Sequence, residues 1–242
     1  MPTPYTEWRY IYPPRPEAVV ELGDLAAKSW ASDTDSIAQF KLNGTRNVIA
    51  VHPDRSVRFW TRKRVKDLPP KYQPANVPLT EPVEQKYAIP SPMRDAILAM
   101  APAGHWTLFD SELLHFKTVN VKNTLYLFDV LVWQGQHLIG MSYAKRYGIL
   151  HSLMGDRFLP LSDATSDEAR GRALGENNLY IARNVLPTAW GEAWDTAQKY
   201  DFIEGLVLKR TGGVSRLESG NVLLNNSSWM CKMRKPHKNF RK

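Results

Sequence analysis

An α+β fold built on antiparallel sheets is predicted from three observations. Apolar, strand-like segments outnumber helical ones along the chain. The helical segments fall between them without regular strand–helix alternation, which argues against a parallel βαβ sheet. In 242 residues, 43% are hydrophobic, with eight Trp and ten Tyr, so there is enough apolar surface for one large domain.

Residues 1–16 hold five prolines and four aromatics (Tyr5, Trp8, Tyr10, Tyr12), which predicts an extended arm packed on the domain. Pro16 to Trp30 has apolar residues at helical spacing (Val19, Val20, Leu25, Ala26), interrupted by Gly23. Ile37–Leu42, Arg46–His52 and Val57–Thr61 read as strands. Pro69–Pro92 has seven prolines in 24 residues and reads as a surface excursion, with a short helix from Pro92 to Met100 after it. His105–Leu114 and Thr124–Trp133 are apolar strands, and Gln134-Gly135-Gln136 is a turn. Ser142 is placed to cap a helix running to Met154. A strand over Tyr180–Leu186, a helix over Thr188–Tyr200 and strands over Phe202–Arg210 and Ser228–Arg234 complete the order.

Charge and composition narrow the function. Lys and Arg number 32 against 24 Asp and Glu, a net +8 that points to a polyanionic partner. Cys231 is the sole cysteine, so no internal disulfide forms and a reducing compartment is expected. The six histidines show no zinc-ligand spacing. No apolar run approaches the roughly 18 residues needed to cross a bilayer. The N-terminus lacks the charged-then-apolar layout of a signal peptide.

Five short segments carry chemistry. Lys41 ends an apolar strand and precedes Asn43-Gly44, a pair that favours a tight turn with positive φ. Its ammonium is thereby expected at a strand end, where partial burial favours the neutral, nucleophilic amine. Glu112 lies among Leu108, Phe109, Leu113 and Leu114, and a carboxylate there needs a hydroxyl, a cation or a metal. Asp129 sits mid-strand and also needs a partner, while Phe128 offers a ring face for a base. Glu204 and Lys209 are an odd number of residues apart, so they share a face only if a bulge at Gly205 resets the strand. Lys232 and Arg234 share a face of the last strand, which suits a phosphate group or a solvated basic edge.

In this order the segments resemble the motifs of the covalent nucleotidyltransferase superfamily: ATP-dependent DNA ligases, RNA ligases and mRNA capping enzymes. Within it, the chain is most similar to the adenylation domain of small, virus-type ATP-dependent DNA ligases, from about Gln39 to Lys235. Lys41–Arg46 looks like the nucleophile motif Lys-x-Asp-Gly-x-Arg, with Asn43 for Asp. Phe109–Glu112 carries Ser111 for the usual Gly, and Arg234 stands where a second lysine is usual.

The resemblance implies two mainly antiparallel sheets flanked by helices over 37–235. Residues 1–36 would be an arm and helix packed on that domain, and 236–242 a basic tail (Lys238, Arg241 and Lys242), with no OB domain in this chain. It implies that Lys41 attacks the α-phosphate of ATP to form lysyl-AMP, with Lys209 and Lys232 neutralising the phosphate. Gln39, Leu42, Arg46, Glu112 and Phe128 would complete the nucleotide site. Glu204, with Glu112, would hold Mg²⁺ (or Mn²⁺). Arg62, Lys63, Arg64, Arg234 and Lys235 would meet nucleic acid. The implied activity is sealing of nicked duplex DNA, in repair or replication, by a cytoplasmic or virus-encoded monomer. An RNA ligase acting on RNA or an RNA/DNA hybrid stays open. So does, from another class, a non-catalytic nucleic-acid-binding relic of the fold.

Overall fold

The computed structural model describes residues 3–21, 25–119, 121–153, 172–173, 178–214 and 226–236. Its first half contains β1 (Thr3–Pro4), β2 (Arg15–Val20), α1 (Leu25–Ser32), β3 (Ser36–Leu42), β4 (Thr45–Val51), β5 (Val57–Arg64), β6 (Pro82–Glu84) and α2 (Ser91–Met100). There follow β7 (Thr107–Leu114), β8 (Thr124–Trp133), β9 (Gln136–His137), α3 (Tyr143–Ser152), β10 (Arg172–Ala173), β11 (Leu179–Ile181), α4 (Trp190–Lys199), β12 (Ile203–Arg210) and β13 (Asn226–Arg234).

The strands form two sheets, mostly antiparallel. The large sheet runs β1-β9-β8-β7-β4-β5-β6, with β11 parallel to one end of β8 and β10 paired to β11. The small sheet runs β2-β13-β12-β3. Alternation along β4 sets the layers. Ile49 and Val51 point to a core shared with Met93 and Ile97 of α2 and Leu150 of α3. Val48 and Ala50 point the other way, to a core closed by Tyr5, Ile11 and Trp106 and flanked by Trp8 and Trp60. Met93 and Ile97, four apart on one helix face, are fully buried, each contributing about 1.5–3 kcal/mol. The small sheet packs Leu206 and Leu208 against Trp190 and Trp194 of α4. No helix among the described residues is long and apolar enough to cross a membrane.

Three local expectations are corrected. Where helix over Pro16–Trp30 is expected, the described residues show helix at Leu25–Ser32, and Arg15–Val20 is a strand parallel to β13. β-branched Val19 and Val20 suit that pairing, and the partner lies some 200 residues away, beyond the reach of a periodicity argument. Asn43-Gly44 is not a positive-φ turn. It is a bend carrying the chain from β3 in the small sheet to β4 in the large one. Glycine is required there by proximity, since a Cβ would sit 2.6 Å from Glu112 Cγ and 2.7 Å from the Leu113 carbonyl. The strand predicted over Tyr180–Leu186 is only Leu179–Ile181, with Val185 bridging back to Ala38. Ser142 stands at the cap position of α3 without a capping side-chain bond. Lys238, Arg241 and Lys242 lie outside the described residues.

Candidate active site

The two sheets contribute opposite walls of a cleft of about 380 Å³, within the roughly 300–1,000 Å³ typical of small-molecule sites. From the small sheet come Gln39 and Lys41 on β3, Lys209 on β12, and Lys232 and Arg234 on β13, each set at strand period two. Glu204 joins them because the β12–β3 ladder slips between Ile203 and Gly205. The predicted bulge is therefore present. Gly205 has φ of 143°, and a Cβ on it would lie 2.0 Å from the Met233 carbonyl oxygen. From the large sheet come Arg46, Arg62, Asp110, Glu112 and Phe128. Arg46 faces Glu112 directly in the β4–β7 ladder.

Two ion pairs line the cleft, one on each wall. Lys41 Nζ donates to Glu204 Oε2 in a largely buried pair. Arg46 donates to Asp110 through Nε at 2.9 Å and Nη2 at 2.5 Å. Burial pulls the Arg46 guanidinium down, but Asp110 outweighs it and leaves its pKa raised. Burial pushes Glu112 up to about 7, against the pull of Lys41 and Arg46. Glu112 is thus poised near neutrality, not fixed as an anion.

Lys209 sits at the far end, 4% exposed. Its Nζ donates to Gln39 Oε1 at 2.6 Å and lies 4.4 Å from the Tyr143 ring centroid and 5.9 Å from that of Phe128. Burial brings it down to about 7. Gln39 Nε2 donates to Asn184 Oδ1 at 2.9 Å and to the Ala182 carbonyl at 3.2 Å. Gln39 is thereby a strut that positions Lys209. Beneath it, Asp129 accepts from Arg146 Nε and Nη2, both at 2.8 Å, which supplies the partner its sequence position demanded.

Of the residues singled out from sequence, Lys63, Arg64 and Lys235 are not brought to the cleft. Lys63 is exposed on β5. Arg64 is buried and donates from Nε to Tyr12 Oη at 2.9 Å. Lys235 Nζ donates to the Ala197 and Tyr200 carbonyls, both at 2.9 Å, closing the end of α4. Leu42 lines the cleft. Asp110, Arg146, Asn184 and Arg15 were missed as site residues. Asp110 was readable in principle, two residues before Glu112 and hence on its face. The other three carry no local signal.

No family model matches the chain, and no curated protein does. Solved structures do. The one named Pmar-Lig_Pre. superposes over 92% of this chain and 46% of its own, with a TM-score of 0.52 at 12% identity. The ligase domain of M. tuberculosis LigD covers 82% of this chain and 53% of its own (TM-score 0.48, 14% identity). Chlorella virus DNA ligase-adenylate covers 91% and 67% (TM-score 0.44, 14% identity). The chain spans about half the length of the first two. At such identities the likeness is one of fold alone, and of these three it rests on the Pmar-Lig_Pre. structure.

Proposed function

We propose that the chain is an ATP-dependent polynucleotide ligase that adenylates its own Lys41 and seals nicks in duplex DNA. The observation that carries this reading is the convergence of Lys41, Lys209 and Lys232 on one cleft with Glu112 and Glu204. Three amines lining one cleft suit a phosphate-bearing substrate more than a neutral one. The likeness of fold to the Pmar-Lig_Pre. structure, over 92% of this chain, is consistent with the reading.

In the first step the Lys41 nitrogen, neutral after passing a proton to water, attacks the α-phosphorus of ATP. The P–N bond forms, the bond from the α-phosphorus to the bridging oxygen breaks, and pyrophosphate leaves with the bond's electrons. Glu204, paired with Lys41 in this structure, must release it before attack. Lys209 and Lys232 stabilise the charge that builds on the phosphate oxygens. Burial lowers the Lys209 pKa to about 7, and an arriving phosphate would favour its cationic form. Phe128 offers a ring face to the base beside it.

Among the described residues no three His, Cys, Asp or Glu side chains gather to hold a metal by themselves. Two carboxylates plus ligand phosphate oxygens are, however, the usual donor set for Mg²⁺. Glu204 and Glu112 would hold Mg²⁺ or Mn²⁺, which would neutralise phosphate charge when bound. In the later steps AMP passes to a 5′-phosphate, and a 3′-hydroxyl displaces it.

The test is an intact-mass scan after incubation with ATP and Mg²⁺, followed by a nick-sealing assay. A mass gain of one AMP with sealing of an all-DNA nick supports the reading. Sealing confined to an RNA 3′ end moves the activity to RNA ligation. No adduct refutes it and leaves a binding module.

A further inference from the structure

Lys209 is held by more than its own strand. Residues from three other parts of the fold meet it in a closed circuit. Its Nζ, on β12, donates to Gln39 Oε1 of β3. Gln39 Nε2 donates to Asn184 Oδ1, in the segment after β11. The same Asn184 oxygen accepts from Tyr143 Oη at 3.1 Å, and Tyr143 is the first residue of α3. The circuit closes at the ring, because the Tyr143 centroid lies 4.4 Å from Lys209 Nζ.

The direction of each bond is fixed. An ammonium offers donors only, so Gln39 must present its oxygen to Lys209. The Ala182 carbonyl accepts from Gln39 Nε2 and sets the same orientation independently. Asn184 must then offer its oxygen, and the Tyr143 hydroxyl must donate. Burial raises that hydroxyl well above the ordinary tyrosine pKa, so it keeps its proton.

Tyr143 is itself fully buried. Its backbone N–H donates to the Gly213 carbonyl at 2.7 Å, and the Trp229 ring lies against it with centroids 5.9 Å apart. Through Leu150, α3 packs on the core of the large sheet, whereas Gln39 and Lys209 belong to the small sheet. Tyr143 therefore ties the large-sheet side of the molecule to the buried cation of the small sheet. A ring face favours a cation beside it, more so away from water. Asp129 on β8 and Asp110 on β7 also favour the charged amine, while Arg46 on β4 and Arg146 on α3 oppose it.

We infer that Tyr143 is a positioning residue for Lys209: its ring seats the ammonium, and its hydroxyl, through Asn184, keeps the Gln39 amide turned toward it. The consequence for the reaction rests on the proposed nucleotidyl-transfer reading, but the effect on Lys209 does not.

The test follows the Lys209 Nζ resonance of nitrogen-15 lysine-labelled protein from pH 5 to 10, assigned by its loss in Lys209→Met. Tyr143→Leu removes ring and hydroxyl, and Tyr143→Phe removes the hydroxyl alone. Tyr143→Met stands in if leucine prevents folding. The ringless variant is expected to bind the Lys209 proton about threefold or more weakly, and phenylalanine to restore most of that affinity. The charges around Lys209 are the same in every variant, so a merely structural role would leave the midpoint in place. Equal midpoints in wild type and a folded ringless variant overturn the inference, as does a phenylalanine variant that falls as far as the ringless one. Single-turnover adduct formation over the same range then reads the reaction. The ringless variant should lose rate at lower pH than wild type, because a neutral amine cannot neutralise a phosphate. A moved midpoint with an unmoved rate profile overturns the role in the reaction. A moved midpoint in a protein whose wild type forms no lysyl-AMP leaves the seating of Lys209 standing and refutes the function proposed above.

Discussion

Glu204 and Lys209, five residues apart on β12, line the same cleft because the ladder slips once at Gly205. On a flat strand one of them would face the opposite side of the sheet. The bulge thus aligns the carboxylate paired with Lys41 and the buried lysine held by Gln39.

Gly205→Ala should therefore damage both stability and the site. The added Cβ meets the Met233 carbonyl at 2.0 Å, and the residue sits at φ of 143°. A loss of at least roughly 2 kcal/mol is expected. Urea unfolding measures it, and a midpoint equal to wild type would mean the bulge tolerates a side chain.

Lys41→Ala should abolish the AMP adduct while leaving the thermal midpoint near that of wild type. Adduct retained on the alanine protein would move the nucleophile elsewhere. Lys232→Ala should slow adduct formation by about 10²–10³-fold, as loss of a transition-state donor does. A single-turnover time course reads this directly.

Asp129→Asn should be the costliest of these changes for folding. Arg146 is fully buried and would lose its paired carboxylate. Breaking one side of a buried pair costs about 3–5 kcal/mol. Asp129 also raises the Lys209 pKa, so the variant should lower that pKa further. Chemical denaturation checks the first effect, and a wild-type midpoint would show the pair to be dispensable.

Lys209 should leave a signature in the pH dependence of stability. Burial places its folded pKa at about 7, against 10.5 for an ordinary lysine. As pH falls from above 10.5, the unfolded chain binds the proton first and stability drops. The drop ends below about 7, where the folded protein is protonated too. Lys209→Met should remove that loss and be more stable at pH 7 by about 1 kcal/mol or more. Unfolding curves for both proteins from pH 6 to 10 would reject the idea if their difference stayed constant.

What the sequence by itself determined is the local grammar. Strand alternation around Lys41, Glu112, Lys209 and Lys232 depends on a period of two, which needs no knowledge of partners. The same arithmetic exposed the conflict between Glu204 and Lys209 and located the bulge. Tertiary structure alone decided what depends on distant neighbours. Arg15–Val20 became a strand because β13 offers it an edge. Gly44 is needed because Glu112 comes within 2.6 Å of where its Cβ would be. Arg64 and Lys235, cations in sequence like any other, turn to Tyr12 and to the end of α4. Arg46 finds Asp110 and Asp129 finds Arg146, 64 and 17 residues away respectively. A charge in a sequence declares only that it needs a partner. The register between strands chooses which one, because burial penalises every arrangement that leaves it alone.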